Sequence, residues 1–422
     1  MVSGKLKSLI DRVRGNQDAR TLIENFASLS ILKALGLVLP LVTLPYLSRV
    51  IGVARFGDIA FASSITVYFM TITDYGFNYT ATRDLSKNRG NMQYVRELFW
   101  NVLYTKLFLF VISTIIFAIL VETIPLLREH RLLLWFTYLS VPCYMLFPEW
   151  FFQGIEKMKY ITIVNVISKL LFTVLIFFVI KEEADYILHP VLSAFGLLVA
   201  GVISQVIVIH KYKVFPTAIS WKSIISTLKS GWNIFFSLIV PNLYTNMSTT
   251  YLKMFSGSVG AGLFTSGRTF IDLSDQVSTV FARVFFPFLS RRPEKHALFS
   301  RILLVVSLGM GIALFVGADL LVDLFYSEAF RDSATVIRIM AICPLFLYLM
   351  NAFGTNYLVV IGKDKAYRQV VMWCSFLGLF VAYFSIKQFG YIGAAYTYVI
   401  IWGIRGVVTW LLARKYKRQL VQ

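Results

Sequence analysis

Long apolar segments follow one another along the chain, separated by short polar connections. Each extends over about 20 residues, the length that an α-helix needs to cross a bilayer, whereas a transmembrane β-barrel has shorter segments of alternating polarity. The pattern predicts an all-α polytopic membrane protein with about twelve transmembrane helices. The predicted spans are residues 25–48, 56–81, 97–120, 132–154, 159–180, 187–210, 231–252, 259–287, 299–325, 333–360, 367–386 and 390–413.

Composition narrows the class further. The 422 residues are 57% hydrophobic and 15% charged, whereas soluble domains are charged at about a quarter of their positions. The net charge of +19 would suggest nucleic acid in a soluble protein. Here the basic residues concentrate in the loops between apolar spans, so no nucleic-acid partner is predicted. The three cysteines all lie in apolar spans, an odd and buried set that argues against a disulfide framework.

Lysine and arginine placement predicts the orientation. With a cytoplasmic N-terminus, 26 of the 41 basic residues fall in inside segments, 8 (Lys253 among them) in outside segments, and 7 within spans. Cytoplasmic loops carry such an excess, so both termini are predicted to be cytoplasmic. The predicted organisation is a basic amphipathic segment (1–24), an N-terminal six-helix lobe (25–210), an amphipathic linker (211–230), a C-terminal six-helix lobe (231–413) and a basic tail (414–422).

A weak internal repeat supports two lobes. A shift of 205 places residues 47–57 against 252–262, with two glycines matched, and a shift of 208 places 154–157 against 362–365. Because each half has an even number of helices, the repeat is predicted to be parallel, about an axis along the membrane normal. That arrangement leaves a central cleft between two lobes in a V.

The segment 261–290 is apolar enough to span the bilayer, yet it contains several charges. Arg268, Asp272 and Asp275 are spaced i, i+4 and i+7, so they share one face of a helix, and Arg283 follows. A charge at the bilayer centre costs about 2.5–3.5 kcal/mol on insertion scales, so this face must meet a partner or a water-filled cavity. Two interpretations are open: a structural cluster that joins helices, and a polar transport pathway.

Other intramembrane charges occur throughout, with bases in excess. Asp319, Arg338 and Glu149 are predicted to be structural pairs or side chains that reach the membrane surface. The other intramembrane charges outside segment 261–290 are Lys33, Asp74, Lys106, Lys169 and Arg405.

Prolines interrupt the first helix of each half. Pro40 and Pro45 lie in the first span and Pro241 in the seventh, where each frees a backbone carbonyl and bends the helix. Both ordinary kinks and flexible gating helices fit; the polar residues beside them favour gating.

The sequence predicts no catalytic, metal or cofactor site. All four histidines are at span ends or in loops, and no glycine-rich phosphate loop occurs. We therefore expect a transporter rather than an enzyme.

The stretch from Pro148 to Tyr160, PEWFFQGIEKMKY, resembles the signature at the end of the fourth helix in Wzx-type polysaccharide flippases. These belong to the multidrug/oligosaccharidyl-lipid/polysaccharide exporter superfamily. The motif residues here are Glu149, Trp150, Gln153 and Gly154, and residues 43–64 and 73–89 are similar to that family's opening helices.

The resemblance implies a flippase that moves undecaprenyl-pyrophosphate-linked oligosaccharide across the bacterial inner membrane for O-antigen and lipopolysaccharide synthesis. It also implies a cationic cavity, and we expect alternating access through that cavity by rocking of the two lobes. Expected partners are membrane lipid, a polysaccharide polymerase and a chain-length regulator, and the buried carboxylates suggest coupling to Na⁺ or H⁺. Substrate-binding residues would be Lys33, Lys106, Arg268 and Arg283. Charge-balancing or ion-coupling residues would be Asp74, Asp272 and Asp275, and hinge residues Pro40, Pro45 and Pro241.

Rival classes remain as alternatives. An antiporter for drugs or other small cations would favour an acidic cavity, whereas bases are in excess here. A lipid II flippase commonly has additional helices, and a glycan polymerase or glycosyltransferase usually needs a large periplasmic loop. A purely structural membrane protein is disfavoured by the many intramembrane charges.

Overall fold

The computed structural model describes residues 17–218, 220–291 and 295–421. The predicted N-terminal segment therefore lies mostly outside the described residues, as do the side chains of Lys33 and Arg283. Helix dominates, and no strand occurs in the part that is described. The elements are, in chain order, α1 (Gln17–Val50), α2 (Gly52–Asp74), α3 (Phe77–Asn88), α4 (Met92–Thr123), α5 (Pro125–Glu129), α6 (Arg131–Tyr138), α7 (Ser140–Met145), α8 (Glu149–Gly154), α9 (Met158–Val179), a 3₁₀ turn (Glu183–Ile187), α10 (Leu188–Val206), a π turn (Ile207–Lys211), α11 (Trp221–Arg291), α12 (His296–Val316), α13 (Ala318–Phe325), a 3₁₀ turn (Glu328–Phe330), α14 (Ser333–Met340), α15 (Cys343–Leu349), a π segment (Met350–Leu358) and α16 (Asp364–Val421).

The helices confirm the all-α polytopic class. Across the described ranges, eight helices are long and apolar enough to cross a membrane. One of these, 364–419, contains two predicted spans, which a kink at Gly390 separates. Helix α11 likewise contains two predicted spans, divided at Gly257. It begins at Trp221 and continues past residue 230, so the second half of the predicted linker is continuous with the seventh span.

Prolines break the fourth span of each half at similar places, 202 positions apart in a chain whose repeat register is 205 to 206. A proline removes its own N–H and clashes with the carbonyl four residues earlier, which ends or kinks a helix. Pro142 lies four residues after Tyr138, where α6 ends, and Pro344 lies four residues after Met340, where α14 ends. The same residue type therefore produces the same interruption in both halves.

The matched glycines form equivalent corners. Gly52 and Gly257 have φ of 69° and 67°, a left-handed conformation that glycine adopts without a Cβ penalty. Each separates the first two helices of its half. At the second matched loop, Lys157 N–H donates to Phe152 O and Lys363 N–H to Leu358 O.

The hydrogen bonds of Lys157 and Lys363 show that equivalent positions in the second matched loop are 206 residues apart. The shift of 208 predicted for this loop was therefore wrong by two residues. The preceding residues, Glu156 and Gly362, both have positive φ. They adopt the same helix-ending geometry, which strengthens the case for a structural repeat.

Apolar packing is divided between the halves. The largest buried cluster is drawn almost wholly from the second half, around Phe264, Tyr326 and Tyr398, with Leu44 as its member from the first half. Another cluster, around Phe99 and Trp150, has its buried members in the first half except for Val214 of the linker. We call residues 25–210 the N-terminal lobe and residues 231–413 the C-terminal lobe.

The lobes meet backbone to backbone where α2 crosses α11. A Cβ built on Gly57 would lie 1.9 Å from Ser258 O, and one on Gly262 would lie 2.1 Å from Val53 O. In the 205-residue repeat, Gly57 corresponds to Gly262 and Val53 corresponds to Ser258. The contact of Gly57 with Ser258 is therefore equivalent to the contact of Gly262 with Val53. We call this contact the glycine crossing. Glycine permits such close approach because it has no side chain.

We expect Gly57→Ala to lower the melting temperature of the purified protein by several degrees. The added methyl overlaps a backbone oxygen, and overpacking of this kind costs about 1–3 kcal/mol. Gly309→Ala is the matched control, since Gly309 is also helical and a Cβ there meets nothing within 4 Å. An unchanged melting temperature in Gly57→Ala would mean that the crossing is looser than described.

Candidate functional site

A cavity of about 630 Å³ lies between the lobes. Residues of α1, α2, α9 and α10 line it from the N-terminal lobe, and residues of α11 line it from the C-terminal lobe. Hydroxyl and amide side chains are frequent among them, including Ser64, Asn165 and Asn246. The cavity therefore offers polar partners within an otherwise apolar protein.

Arg268 and Asp272, one helical turn apart on α11, both line this cavity. Arg268 Nε lies 3.2 Å from Asp272 Oδ2, and the guanidinium carbon lies 4.9 Å from the ring centroid of Tyr398. Tyr398 is fully buried, and its hydroxyl donates to Thr245 O at 3.0 Å. The arginine is thus held on a rigid aromatic face, whereas the Asp272 side chain is 46% exposed.

Lys169 is a cavity residue that the sequence analysis did not select as a site. It lies on α9 of the N-terminal lobe and lines the same cavity as Arg268. A Cβ on Gly36 would lie 3.2 Å from Lys169 Nζ, so glycine leaves room there for the ammonium group. Two cationic side chains from opposite lobes therefore face one cavity.

A second cavity, of about 980 Å³, lies along the N-terminal lobe and shares Val67 with the first. Asp74 lines it, and Lys106 Nζ donates to Asp74 Oδ1 at 2.8 Å. The Lys106 side chain is only 3% exposed, and its ammonium lies 6.0 Å from the centroid of the Phe77 ring. Lys106 thus contacts the carboxylate from the protein interior, a placement that suits a partner of Asp74 better than a direct substrate ligand.

The motif of the fourth span divides into packing residues and cavity residues. Trp150 is buried against Phe99, and a Cβ on Gly154 would lie 2.7 Å from a methyl carbon of Leu85. Glu149 and Gln153 line the second cavity, with the Gln153 amide donating to Glu149 Oε1 at 2.9 Å.

A buried polar cluster joins the lobes beside the glycine crossing. Lys253 Nζ donates to Asp58 Oδ1 at 2.6 Å, and Ser258 Oγ donates to the same oxygen at 2.7 Å. Lys253 is 9% and Asp58 1% exposed. The charge pattern predicts Lys253 in an outside segment and gives no sign of Asp58, whose partner is 195 positions away in sequence.

The remaining predicted residues lie as follows. Pro40 lines the inter-lobe cavity, Pro45 lies one turn further along α1, and Pro241 lies within α11. Thr245 Oγ1 donates to Pro241 O at 3.1 Å. Arg338 and Asp319, both predicted to be in structural pairs or at the membrane surface, form an ion pair with each other. Asp275 is on the helix that carries Arg268 and Asp272.

The fold is similar to that of two solved membrane proteins. A solved structure described as "Lipid II flippase MurJ, inward closed conformation" superposes with a TM-score of 0.71 at 14% identity, covering 93% of this chain and 87% of that one. A "multidrug resistance MATE family transporter of the MOP superfamily" in an inward-facing conformation gives 0.68 at 15% identity, covering 94% and 98%. At these identities the likeness establishes the fold.

The family is established by sequence. The profile described as "Polysaccharide biosynthesis protein" matches residues 22–293, more than half of the chain, so the chain belongs to that family. The chain is also 26% identical over 390 residues to the "Putative O-antigen transporter" of Escherichia coli (strain K12), covering 90% of this chain and 94% of that protein. A protein of the same name from Shigella dysenteriae is 23% identical over 383 residues, covering 87% and 93%.

Proposed function

We propose that the protein is a flippase for a lipid-linked polysaccharide unit, specifically an undecaprenyl-pyrophosphate-linked oligosaccharide of the bacterial inner membrane. One observation carries the proposal: Arg268 and Lys169, from opposite lobes, face a single cavity between them. The family and the names of its relatives support the polysaccharide cargo. The role is transport rather than catalysis, and polymerase and chain-length regulator proteins would act after it.

The chemistry of the two cations suits a pyrophosphate. Arginine presents planar, bidentate N–H donors to phosphate oxygens, and lysine binds phosphate as a compact point charge. A diphosphate has oxygens on two phosphorus atoms, so it can be shared between groups on opposite walls. The lipid chain would remain in the bilayer while the charged and sugar portions occupy the protein.

Alternating access follows from binding between lobes. Lys169 is on one lobe and Arg268 on the other, so a bound diphosphate draws the cavity walls together and biases the lobe arrangement. The glycine crossing and the Asp58–Lys253 pair would keep the lobes closed on the outside face. Release to that face requires these contacts to separate, with Pro40, Pro45 and Pro241 as hinges in the helices beside them.

The negative charge of Asp272 would balance the positive charge of Arg268 when no cargo occupies the cavity. The carboxylate lies 3.2 Å from the guanidinium, so an arriving diphosphate competes with it for the same donors. Displaced and partly exposed, the carboxylate then binds a proton or Na⁺, which couples cargo binding to an ion gradient. Asp74 is already paired with Lys106 and is the second candidate.

We expect Arg268→Gln and Lys169→Gln each to reduce flipping of undecaprenyl-pyrophosphate-linked saccharide in proteoliposomes by at least about tenfold, because loss of one charge-assisted contact is worth ~1.5–3 kcal/mol. Lys387→Gln removes the same charge from an exposed side chain and should leave the rate unchanged. Wild-type rates in both cavity variants would contradict the proposal.

We expect Asp272→Asn to uncouple transport from the gradient. The variant should bind undecaprenyl pyrophosphate more tightly, since the competing carboxylate has lost its charge. A Na⁺ or pH gradient that accelerates the wild type should then have no effect. If Asp272→Asn responds to the gradient as the wild type does, the ion site is elsewhere.

A further inference from the structure

A histidine lies beside the buried ion pair that joins the lobes. His130 is half-buried and separates α5 from α6, on the face predicted to be outside. Its imidazole meets the ring of Phe61 edge-on, with 5.8 Å between the centroids, and Lys253 Nζ lies 6.0 Å from the centroid of the same Phe61 ring. Phe61 is three residues beyond Asp58 on α2, so both lie on one face of that helix. The histidine is therefore a neighbour of the Asp58–Lys253 pair.

The surroundings of His130 disfavour a positive charge. Its Nε2 atom is buried and has no hydrogen-bond partner within the described part of the chain. A protonated imidazole has N–H donors at both ring nitrogens, so protonation would leave this buried N–H without an acceptor. Burial, and after it the positive charge of Lys253, lowers the pKa of His130 from its ordinary value. While the lobes are in contact, the neutral histidine is favoured.

The charges around His130 are divided between the lobes. Lys253, which opposes protonation, belongs to α11 of the C-terminal lobe, whereas Asp58, which favours it, belongs to the N-terminal lobe, as His130 does. The carboxylate of Asp58 accepts from Lys253 Nζ at 2.6 Å. The other charged side chains nearby are those of Arg55, which opposes protonation and is paired with Glu183 at 3.0 Å, and of the exposed Glu129, which favours it.

Separation of the lobes would change both main charges in the same direction. Lys253 would move away with the C-terminal lobe, and Asp58 would stay beside His130 without its ammonium partner. A neighbouring cation disfavours the imidazolium, and an uncompensated carboxylate favours it. The pKa of His130 would therefore rise on separation. A group that binds its proton more tightly in one arrangement shifts the equilibrium toward that arrangement as the pH falls.

We propose that His130 is a proton-binding site at the outside face and that its protonation favours separation of the lobes. The protonated imidazole then replaces Lys253 as the cation beside Asp58. The inference rests on the proposed flippase function in one respect, that the lobes separate beside the glycine crossing. Its consequence is that acid on the outside favours the arrangement that releases cargo.

The test measures the distance between the lobes in full-length protein in nanodiscs without cargo, at about pH 5.5 and about pH 8, on either side of the ordinary histidine pKa of about 6.5. Ala184 and Gln388 are exposed, lie in different lobes and are both on the face predicted to be outside. Spin labels are attached to Ala184→Cys and Gln388→Cys, with the native cysteines replaced by serine. Double electron–electron resonance then gives the ratio of separated to closed molecules.

We expect this ratio to rise about fivefold in the labelled parent protein when the pH falls across that range, the effect of a one-unit difference in the pKa of His130 between the two arrangements. In His130→Gln the ratio should change by less than about twofold, because the titrating group is gone. A ratio in the parent protein that does not depend on pH would overturn the inference, and so would a full response in His130→Gln.

His210→Gln is the matched control. His210 is an exposed histidine at the other end of the N-terminal lobe, so its replacement should leave the pH response intact. An equal loss of the response in His210→Gln would mean that the effect does not belong to His130, which would also overturn the inference.

The absence of cargo separates this inference from the proposed function. Arg268→Gln should keep the pH response of the lobes, although it lowers flipping. If the assignment of the diphosphate site fails, the pH response of the lobes remains. If the pH response fails, the effect of Arg268→Gln on flipping remains.

Discussion

The close contact of two glycine backbones fixes the relation between the halves of this protein. Gly57 and Gly262 each allow the opposing helix to approach until a methyl group would overlap a carbonyl oxygen. Beside this contact, Asp58 and Lys253 form a buried ion pair between the lobes. Breaking such a pair by removing one partner costs about 3–5 kcal/mol, so the pair defines one arrangement of the lobes. Residues of the same two helices, α2 and α11, line the inter-lobe cavity.

The two lobes have equivalent backbones but different chemistry. The 205-residue shift relates Arg268 to Ser63 and Asp272 to Val67, and all four line the inter-lobe cavity. One wall thus carries the arginine and carboxylate, and its counterpart carries a hydroxyl and an isopropyl group. A duplicated scaffold has kept its corners, crossing and proline breaks, while its charged groups differ between halves. An asymmetric ligand, with a diphosphate at one end and sugars at the other, suits an asymmetric lining.

Much of the fold could be predicted from the sequence because its causes are local. Apolar runs of bilayer length identify the helices, and glycine spacing identifies the corners. The shared face of Arg268 and Asp272 follows from helical period alone. Lys106 and Lys253 were harder because their partners, Asp74 and Asp58, are 32 and 195 positions away. The local sequence around a lysine does not reveal whether its ammonium reaches water or a buried carboxylate, so only tertiary packing distinguishes the two. The sequence does not identify Lys169 as a site residue, because only the folded structure brings α9 and α11 to the same cavity.

In the proposed transport cycle, the lobes separate beside the glycine crossing. Ser64 Oγ and Thr250 Oγ1 lie 3.3 Å apart on opposite lobes, close enough for a cysteine pair at these positions to form a disulfide. The most direct measurement is flipping of undecaprenyl-pyrophosphate-linked saccharide by Ser64→Cys/Thr250→Cys protein, with the three native cysteines replaced by serine. We expect oxidation to reduce flipping to the level of empty vesicles and reduction to restore it. Undiminished flipping by protein shown to be fully cross-linked would contradict it.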